Sequence, residues 1–442
     1  MALRQFLQSV ASGTASSLRV TRASVTHIKS RDWQQQLQTL LRLKDESSML
    51  QLAMELLDIY EGFTPDEQLA FFNHLLENFR ASADGLATAI AAYQDDPSPL
   101  NVQKLNAASV PDRRALFEIF NMTAGGTARL VQMRADLLGF LREHKELKAL
   151  DNDLQVLFSA WFNRGFLSLE RISWETPAFV LERLMKYEAV HKIAGWNDLQ
   201  KRVSTGRRCY AFFHPALPHE PIIFVQVALV AEMSSSVDEI IRSEQPPVDE
   251  AAANTAIFYS ISNCQSGLRG IAFGDLLIKQ VVEQIKVDLP NIQTFATLSP
   301  VPGFGKWLAN ADTADDLPAL SAAETELLKV LLAEGEVCWP DDEAQCAGLE
   351  PLLKRLCAHY MVSAKSGRQP FDPVSRFHLR NGARLDRLNW LGDRSAKGLA
   401  ESHGLLVNYV YDPQAVTRNH DCLLYTSPSP RDQRGSRMPS SA

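Results

Sequence analysis

The stretch AIFYSISNCQSGLRGIAFGDLLIKQVVEQIKVDLPNIQTFATLSP, residues 256–300, decides the fold. Its first eight residues, Ala256 to Asn263, include the aromatic or β-branched Ile257, Phe258, Tyr259 and Ile261 and read as a strand. GLRGIAFGD then supplies three glycines, and LLIKQVVEQIKVDLP has apolar residues at three- and four-residue spacing. IQTFATLSP is extended again. Strand, glycine-rich loop, helix and strand make an α/β unit. Gly267, Gly270 and Gly274 allow close backbone approach and positive φ. A helix beginning near Asp275 presents free N–H groups and the positive end of its dipole. The combination suits a pyrophosphate. It suits a plain tight turn equally well, because neither G-x-G-x-x-G nor G-K-[ST] is present.

Downstream, LSPVPGFGKWL stops the last strand on Ser299, and two prolines flanking Val301 deny its continuation. The serine is thus held at a sheet end, where α/β proteins place ligands. A serine closing a turn is the plainer alternative, and no G-x-S-x-G supports a hydrolase elbow. His378 lies in a strand-like RFHL, residues 376–379, and precedes the Asn381-Gly382 turn signal. It is one of few side chains suited to donate a proton near neutral pH.

Working outward, RRCYAFFHP (207–215) and PIIFVQVALVA (221–231) are strand-like, separated by the turn ALPHE. A helical insertion at about 309–360 opens with a Ser321/Glu324 capping box. GLLVNYVY, 404–411, is a last strand. A mixed sheet carrying helices is expected from about Ser168 onward. Before that, residues 32–168 read as helix throughout. FTPDEQLAFFNHLLENF pairs Thr64 with Glu67 as a capping box around Pro65, and LVQMRADLLGFLREHKELKAL, 130–150, reads as one long amphipathic helix. His74 and His144 read as packing or surface residues.

The chain has 442 residues, 45% hydrophobic and 22% charged, with a formal charge of -7. It is long enough for two domains. No run approaches the ~18 apolar residues of a membrane helix, and no basic stripe points to nucleic acid. Cys209, Cys264, Cys338, Cys346 and Cys357 contain no C-x-x-C, which favours a reducing compartment and no metal site over a disulfide framework or zinc. The first 31 residues lack acids and carry five basic residues among serines and alanines, the composition of a mitochondrial presequence or of a frayed basic terminus. CLLYTSPSPRDQRGSRMPSSA, 422–442, resembles a translated sequencing adapter and is set aside as non-native, which implies an environmental, hence bacterial and cytoplasmic, source.

Several of these segments are similar to one family. FYSISNCQSGLRGIAFGDLLIKQVVEQI, LSPVPGFGKWL, FHLRNGARLDRLNWLGDRSAKG and GLLVNYVY, together with ERISWETP and GRRCYAFFHP, closely resemble malonyl-CoA decarboxylase across almost the whole chain. The resemblance implies an all-α helical bundle over 1–168, for scaffolding or oligomerisation. A catalytic domain over 169–421 is then folded like the CoA-dependent N-acetyltransferases (GNAT-like), a mixed sheet with a helical insertion. It implies that malonyl-CoA becomes acetyl-CoA and carbon dioxide without a cofactor, in a homotetramer built as a dimer of dimers. It assigns Arg269, Gly270, Ile271, Ala272, Phe273, Gly274 and Asp275 to CoA, Ser299 and His378 to catalysis, and Tyr411 to the active-site neighbourhood. Some family members carry glutamate at the position of Ala272, so any tuning by that carboxylate must come from elsewhere here. Two rival readings are an acyltransferase that passes the group to an amine, and a CoA-binding regulator without turnover. Carbon dioxide release without an acceptor separates decarboxylation from both.

Overall fold

A computed structural model describes residues 33–241, 249–271, 277–311, 317–333, 343–366 and 369–412. The chain divides into two compact units, Met1–Asn163 with Gln265–Ile271, and Arg164–Cys264 with Ala272–Ala442.

The first unit is helical. Its α-helices are α1 (Trp33–Leu40), α2 (Glu46–Glu61), α3 (Pro65–Asn78), α4 (Ala83–Asp95), α5 (Pro99–Ser109), α6 (Asp112–Met122), α7 (Gly126–Phe140) and α8 (Lys148–Trp161). Thr64 and Glu67 form the expected reciprocal cap on α3, which begins on Pro65. Leu56, Phe72, Leu75, Phe117, Phe120, Leu137 and Phe158 fill the interior.

The single long helix expected over 130–150 is instead two helices joined by a turn and a 3-10 segment, Lys145–Leu147. The reason is visible in the core. Arg134 Nε donates to Asp151 Oδ1 at 2.8 Å, with both side chains 1% exposed. In an unbroken helix, seventeen residues at ~1.5 Å each would hold them ~25 Å apart. Closing that ion pair and burying Leu147 and Leu150 requires the chain to double back.

Gln265–Ile271 belongs to this unit, not to the sheet that precedes it. Arg134 Nη1 donates to the Gly267 carbonyl at 2.6 Å. A Cβ at Gly267 would lie 1.8 Å from the Val131 carbonyl oxygen, so only glycine fits.

The second unit contains α9 (Ala178–Tyr187), α10 (Trp196–Arg202), α11 (Val237–Ile241), α12 (Leu277–Asp288), α13 (Phe304–Ala309), α14 (Ala322–Ala333), α15 (Glu343–Ser363), α16 (Pro373–Arg380) and α17 (Ala396–Ser402). Its strands are β1 (Ser168–Ile172), β2 (Arg207–Phe213), β3 (Ile223–Val230), β4 (Thr255–Asn263), β5 (Thr294–Thr297), β6 (Ser299–Pro300), β7 (Lys365–Ser366), β8 (Gln369–Pro370), β9 (Arg384–Asn389) and β10 (Leu406–Val410). Eight of them form a mixed sheet in the order β1-β2-β3-β4-β5-β10-β6, with β9 on β10, while β7 and β8 pair separately. Strands β1 to β4 run as an antiparallel meander, and β4 and β5 are parallel through the crossover helix α12. This is the strand-helix-strand unit expected from residues 256–300. The helical insertion is also present, and Ser321 and Glu324 cap α14 reciprocally.

The β4–β5 pairing stops early. Its last partners are Phe258 and Thr297, closed by the Leu298 N–H to the Phe258 carbonyl at 3.0 Å. Beyond that point β4 continues to Asn263, whereas the other chain turns at Leu298 and pairs with β10 through Ser299 and Pro300. The sheet therefore splays, leaving one edge of β4 unpaired by β5. Among the described residues, no helix is long and apolar enough to cross a membrane.

Candidate active site

The splay opens into a cavity of about 280 Å³. One wall carries Phe258, Ser260 and Ile261 of β4, and the other carries Leu298, Ser299 and, from α16, Phe377 and His378. Ser299 is there because the strand bends at Leu298 to satisfy β10, with Pro300 and Val301 behind it. His378 is there because Asp372 caps α16, accepting the Ser375 N–H at 2.8 Å, and Pro373 occupies the first helical position. RFHL is therefore helix, not the strand expected. The Asp372-Pro373 pair is the cue that outweighs its extended appearance.

The two side chains meet. Ser299 Oγ lies 3.0 Å from His378 Nε2, and His378 Nδ1 lies 2.8 Å from the Tyr411 hydroxyl. Ser299 Oγ also donates to Thr297 Oγ1 at 2.8 Å, and Thr297 Oγ1 in turn accepts the Tyr409 N–H at 3.3 Å. The Tyr409 ring stacks on the imidazole with centroids 4.6 Å apart and planes 26° from parallel. A neutral imidazole has one donor and one acceptor. Tyr411 donating to Nδ1, Nε2–H donating to Ser299, and Ser299 donating to Thr297 satisfies every member of the chain.

Burial makes neutrality the stable state. His378 is 3% exposed, and desolvation lowers its pKa from 6.5 to about 3. Burial likewise pushes the Tyr411 phenol well above its ordinary value, with Tyr409 adding to the shift. No Lys or Arg is among the described residues that line the cavity. An anion entering it meets hydroxyls, an imidazole and backbone, and little compensating charge.

A larger cavity, about 770 Å³, is lined by His191, Trp196, Lys201 and Lys397 among others. It holds none of Ser299, His378 or Tyr411, so size does not mark the chemistry here. Val190 lines both cavities.

Residues 165–428 match the family described as malonyl-CoA decarboxylase C-terminal domain, and 79–162 match its N-terminal domain. The chain belongs to the malonyl-CoA decarboxylase family. It is accordingly a decarboxylase, a carboxy-lyase. It is similar to the mitochondrial malonyl-CoA decarboxylase of Anser anser anser, 39% identical over 339 residues, or 72% of this chain and 67% of that one. Among solved structures it resembles the malonyl-CoA decarboxylases of Rhodopseudomonas palustris and Agrobacterium vitis. They are 46% and 44% identical, each with a TM-score of 0.84, covering 89% of this chain and 96% of the other.

Within this family member, Ser299, His378 and Tyr411 come together as one hydrogen-bonded chain. Of the loop residues expected at CoA, Arg269 and Gly270 are exposed, and Gly270 has φ of 79°, the left-handed region glycine favours. Ile271 is buried, and Ala272, Phe273, Gly274 and Asp275 lie outside the described residues. Cys209, Cys264 and Cys357 are buried free thiols whose pKa burial raises far above the usual range. The Cys338 and Cys346 side chains, the basic N-terminus and the 422–442 tail are likewise outside.

Thr297, Tyr409 and Glu188 escaped the sequence reading. Thr297 and Tyr409 sit inside recognisable strands, but nothing in a strand pattern says which inward side chain touches a histidine. Glu188 follows α9 as a lone acid in KYEAVHKI, indistinguishable from a surface residue until its burial is seen.

Proposed function

We propose that the chain decarboxylates malonyl-CoA in the splay cavity, through a thioester enolate that the Ser299–His378 pair binds and protonates. The observation that carries this reading is the 3.0 Å contact between a serine hydroxyl and a buried imidazole at the wall of a cavity that has no Lys or Arg among the described residues lining it.

Losing carbon dioxide from a malonyl thioester leaves an electron pair on C2. The adjacent thioester carbonyl accepts it as an enolate, so the substrate supplies its own electron sink. The enzyme must anchor CoA, set the breaking C–C bond perpendicular to the carbonyl plane, and deliver a proton to C2. Anchoring falls to the loop from Arg269 to Asp275, and binding energy gained there holds the malonyl group in place. Ser299 hydrogen-bonds the malonyl carboxylate or carbonyl.

His378 delivers the proton from Nε2–H. The α-C–H of a thioester is a weaker acid than the N–H of a neutral imidazole, so C2 of the enolate can take a proton from the neutral ring, as neutral histidine donors act elsewhere. The Tyr411 hydroxyl donates to Nδ1 and supports the ring as the Nε2 proton leaves. After acetyl-CoA departs, a proton from solvent returns to Nε2, so that the ring and the phenol regain their starting protonation. The sparse charge of the cavity favours conversion of the carboxylate into neutral carbon dioxide.

The test is carbon dioxide release from malonyl-CoA by wild type, Ser299→Ala and His378→Ala. His378→Ala is expected to lose ~100-fold or more in kcat. Wild-type turnover in that variant removes the histidine from the mechanism. Release that depends on an added amine acceptor favours the acyltransferase reading instead.

A further inference from the structure

We propose that Glu188 is a positioning residue for the reaction, a buried carboxylate that fixes the β4 wall of the cavity opposite Ser299 and His378. The inference rests on reading that cavity as the thioester site.

Glu188 is buried, 8% exposed, yet it does not line the cavity. Its Oε1 accepts the Val190 N–H at 2.8 Å, the His191 N–H at 3.0 Å and the Ser260 hydroxyl at 2.8 Å. Ser262 reaches the same oxygen at 3.3 Å, and the Gln226 side-chain amide donates to Oε2 at 2.5 Å. The other end of that amide accepts the Tyr259 hydroxyl at 2.9 Å. Three cavity-lining residues, Val190, Tyr259 and Ser260, are thereby tied to one carboxylate, directly or through Gln226.

The carboxylate also sits on an irregularity. Gln226 pairs with Ser260 and Val227 with Phe258, so Tyr259 is an extra residue in β4. Such a bulge re-aims side chains and sharpens local twist. Here it lets the consecutive residues Tyr259 and Ser260 both reach the Gln226–Glu188 network. It falls where β5 leaves β4, at the start of the unpaired edge.

Neither helix nor fold stability accounts for the choice of residue. Glu188 caps the C-terminus of α9, where a negative charge opposes the dipole. Even a buried ion pair can often be replaced by packed apolar residues of similar volume without loss of stability, so burial of a carboxyl is weak evidence of a stabilising role. What the carboxylate does uniquely is accept five donors from the 189–191 turn and two strands at once. Substitution with glutamine keeps the shape but turns one end into a donor facing donors, so part of the wall must let go.

The experiment is steady-state kinetics of Glu188→Gln with malonyl-CoA, alongside its thermal midpoint. Small misplacements of a bound substrate are costly, so KM is expected to rise at least ~10-fold, with the pH profile of kcat unmoved. A merely structural role lowers the folded fraction and hence apparent kcat, leaving KM within twofold, and that result overturns the proposal. Should Glu188→Gln not fold, Ser260→Ala and Tyr259→Phe each remove one tie to the wall. Each is expected to raise KM by about 3-fold or more through the same displacement, and unchanged KM in both overturns it. Ser299→Ala measured in parallel keeps the readings apart: wild-type turnover there defeats the site assignment, whatever Glu188→Gln does.

Discussion

The helical unit and the sheet unit each bury a polar assembly, and they solve the cost differently. In the helical unit, Arg134 and Asp151 meet as full charges, and Lys148 and Gln155 also bond the carboxylate. Burial pushes the Asp151 carboxyl up, but the bonds from Lys148 and Arg134 outweigh it and hold it below its usual range. In the sheet unit, Thr297, Ser299, His378 and Tyr411 are bonded in a row as neutral groups. Desolvation is offset by opposite charge in the first case and by the absence of charge in the second. A charge pair fixes geometry and does nothing else. A neutral chain of donors and acceptors fixes geometry and can also pass a proton. The difference separates a strut from a site.

The contrast breaks most visibly if the strut is cut. Arg134→Ala leaves Asp151 buried without its main partner and is expected to cost about 3–5 kcal/mol of unfolding free energy. Chemical denaturation measures this, and a loss below about 1 kcal/mol would mean that Lys148 and Gln155 suffice. Next comes the outer member of the chain. Tyr411→Phe removes the hydroxyl behind Nδ1, and kcat is expected to fall ~10-fold, less than for the histidine itself. Unchanged kcat would show that the ring needs no hydrogen bond from the phenol at Nδ1 while Nε2 gives up its proton. The smallest mutational effect belongs to the helix that delivers the histidine. Asp372→Ala deletes the α16 cap and is expected to cost ~1 kcal/mol. Because α16 is short, activity should fall in the same variant, and wild-type activity would show that packing alone holds His378.

A pH series sharpens the comparison further. His378 has its pKa lowered by burial from 6.5 to about 3, and His403 from 6.5 to about 4 for the same reason. Below pH 6.5 the unfolded chain takes up protons that the folded chain refuses, so stability falls as pH drops toward 3–4. Above 6.5 both states are neutral and these groups contribute no slope. His378→Gln should flatten part of that acid slope, as thermal melts between pH 4 and 7 would show.

Much of this was legible in the sequence, for stated reasons. The strand-loop-helix-strand order was readable because its periods of two and three-to-four are long and bounded by glycine and proline. Ser299 was readable because two prolines isolate it. The break between α7 and α8 was not, because apolar spacing persists through the turn and only the Arg134–Asp151 contact demands it. His378 was placed on the wrong element, since eight residues are too few for helical periodicity to overrule a strand-like RFHL. Glu188 was invisible because five of its ties come from residues 2 to 74 positions away.

The central claim is that the imidazole of His378 rests neutral between Tyr411 and Ser299 at working pH. Nitrogen NMR of histidine-labelled enzyme, with His378→Gln to assign the signal, reads this directly. The expected spectrum shows a neutral ring at pH 7, protonated at Nε2 and unprotonated at Nδ1, and unchanged on lowering the pH to about 5. A His378 signal that is imidazolium at pH 7, or that titrates with an ordinary midpoint near 6.5, would contradict the account.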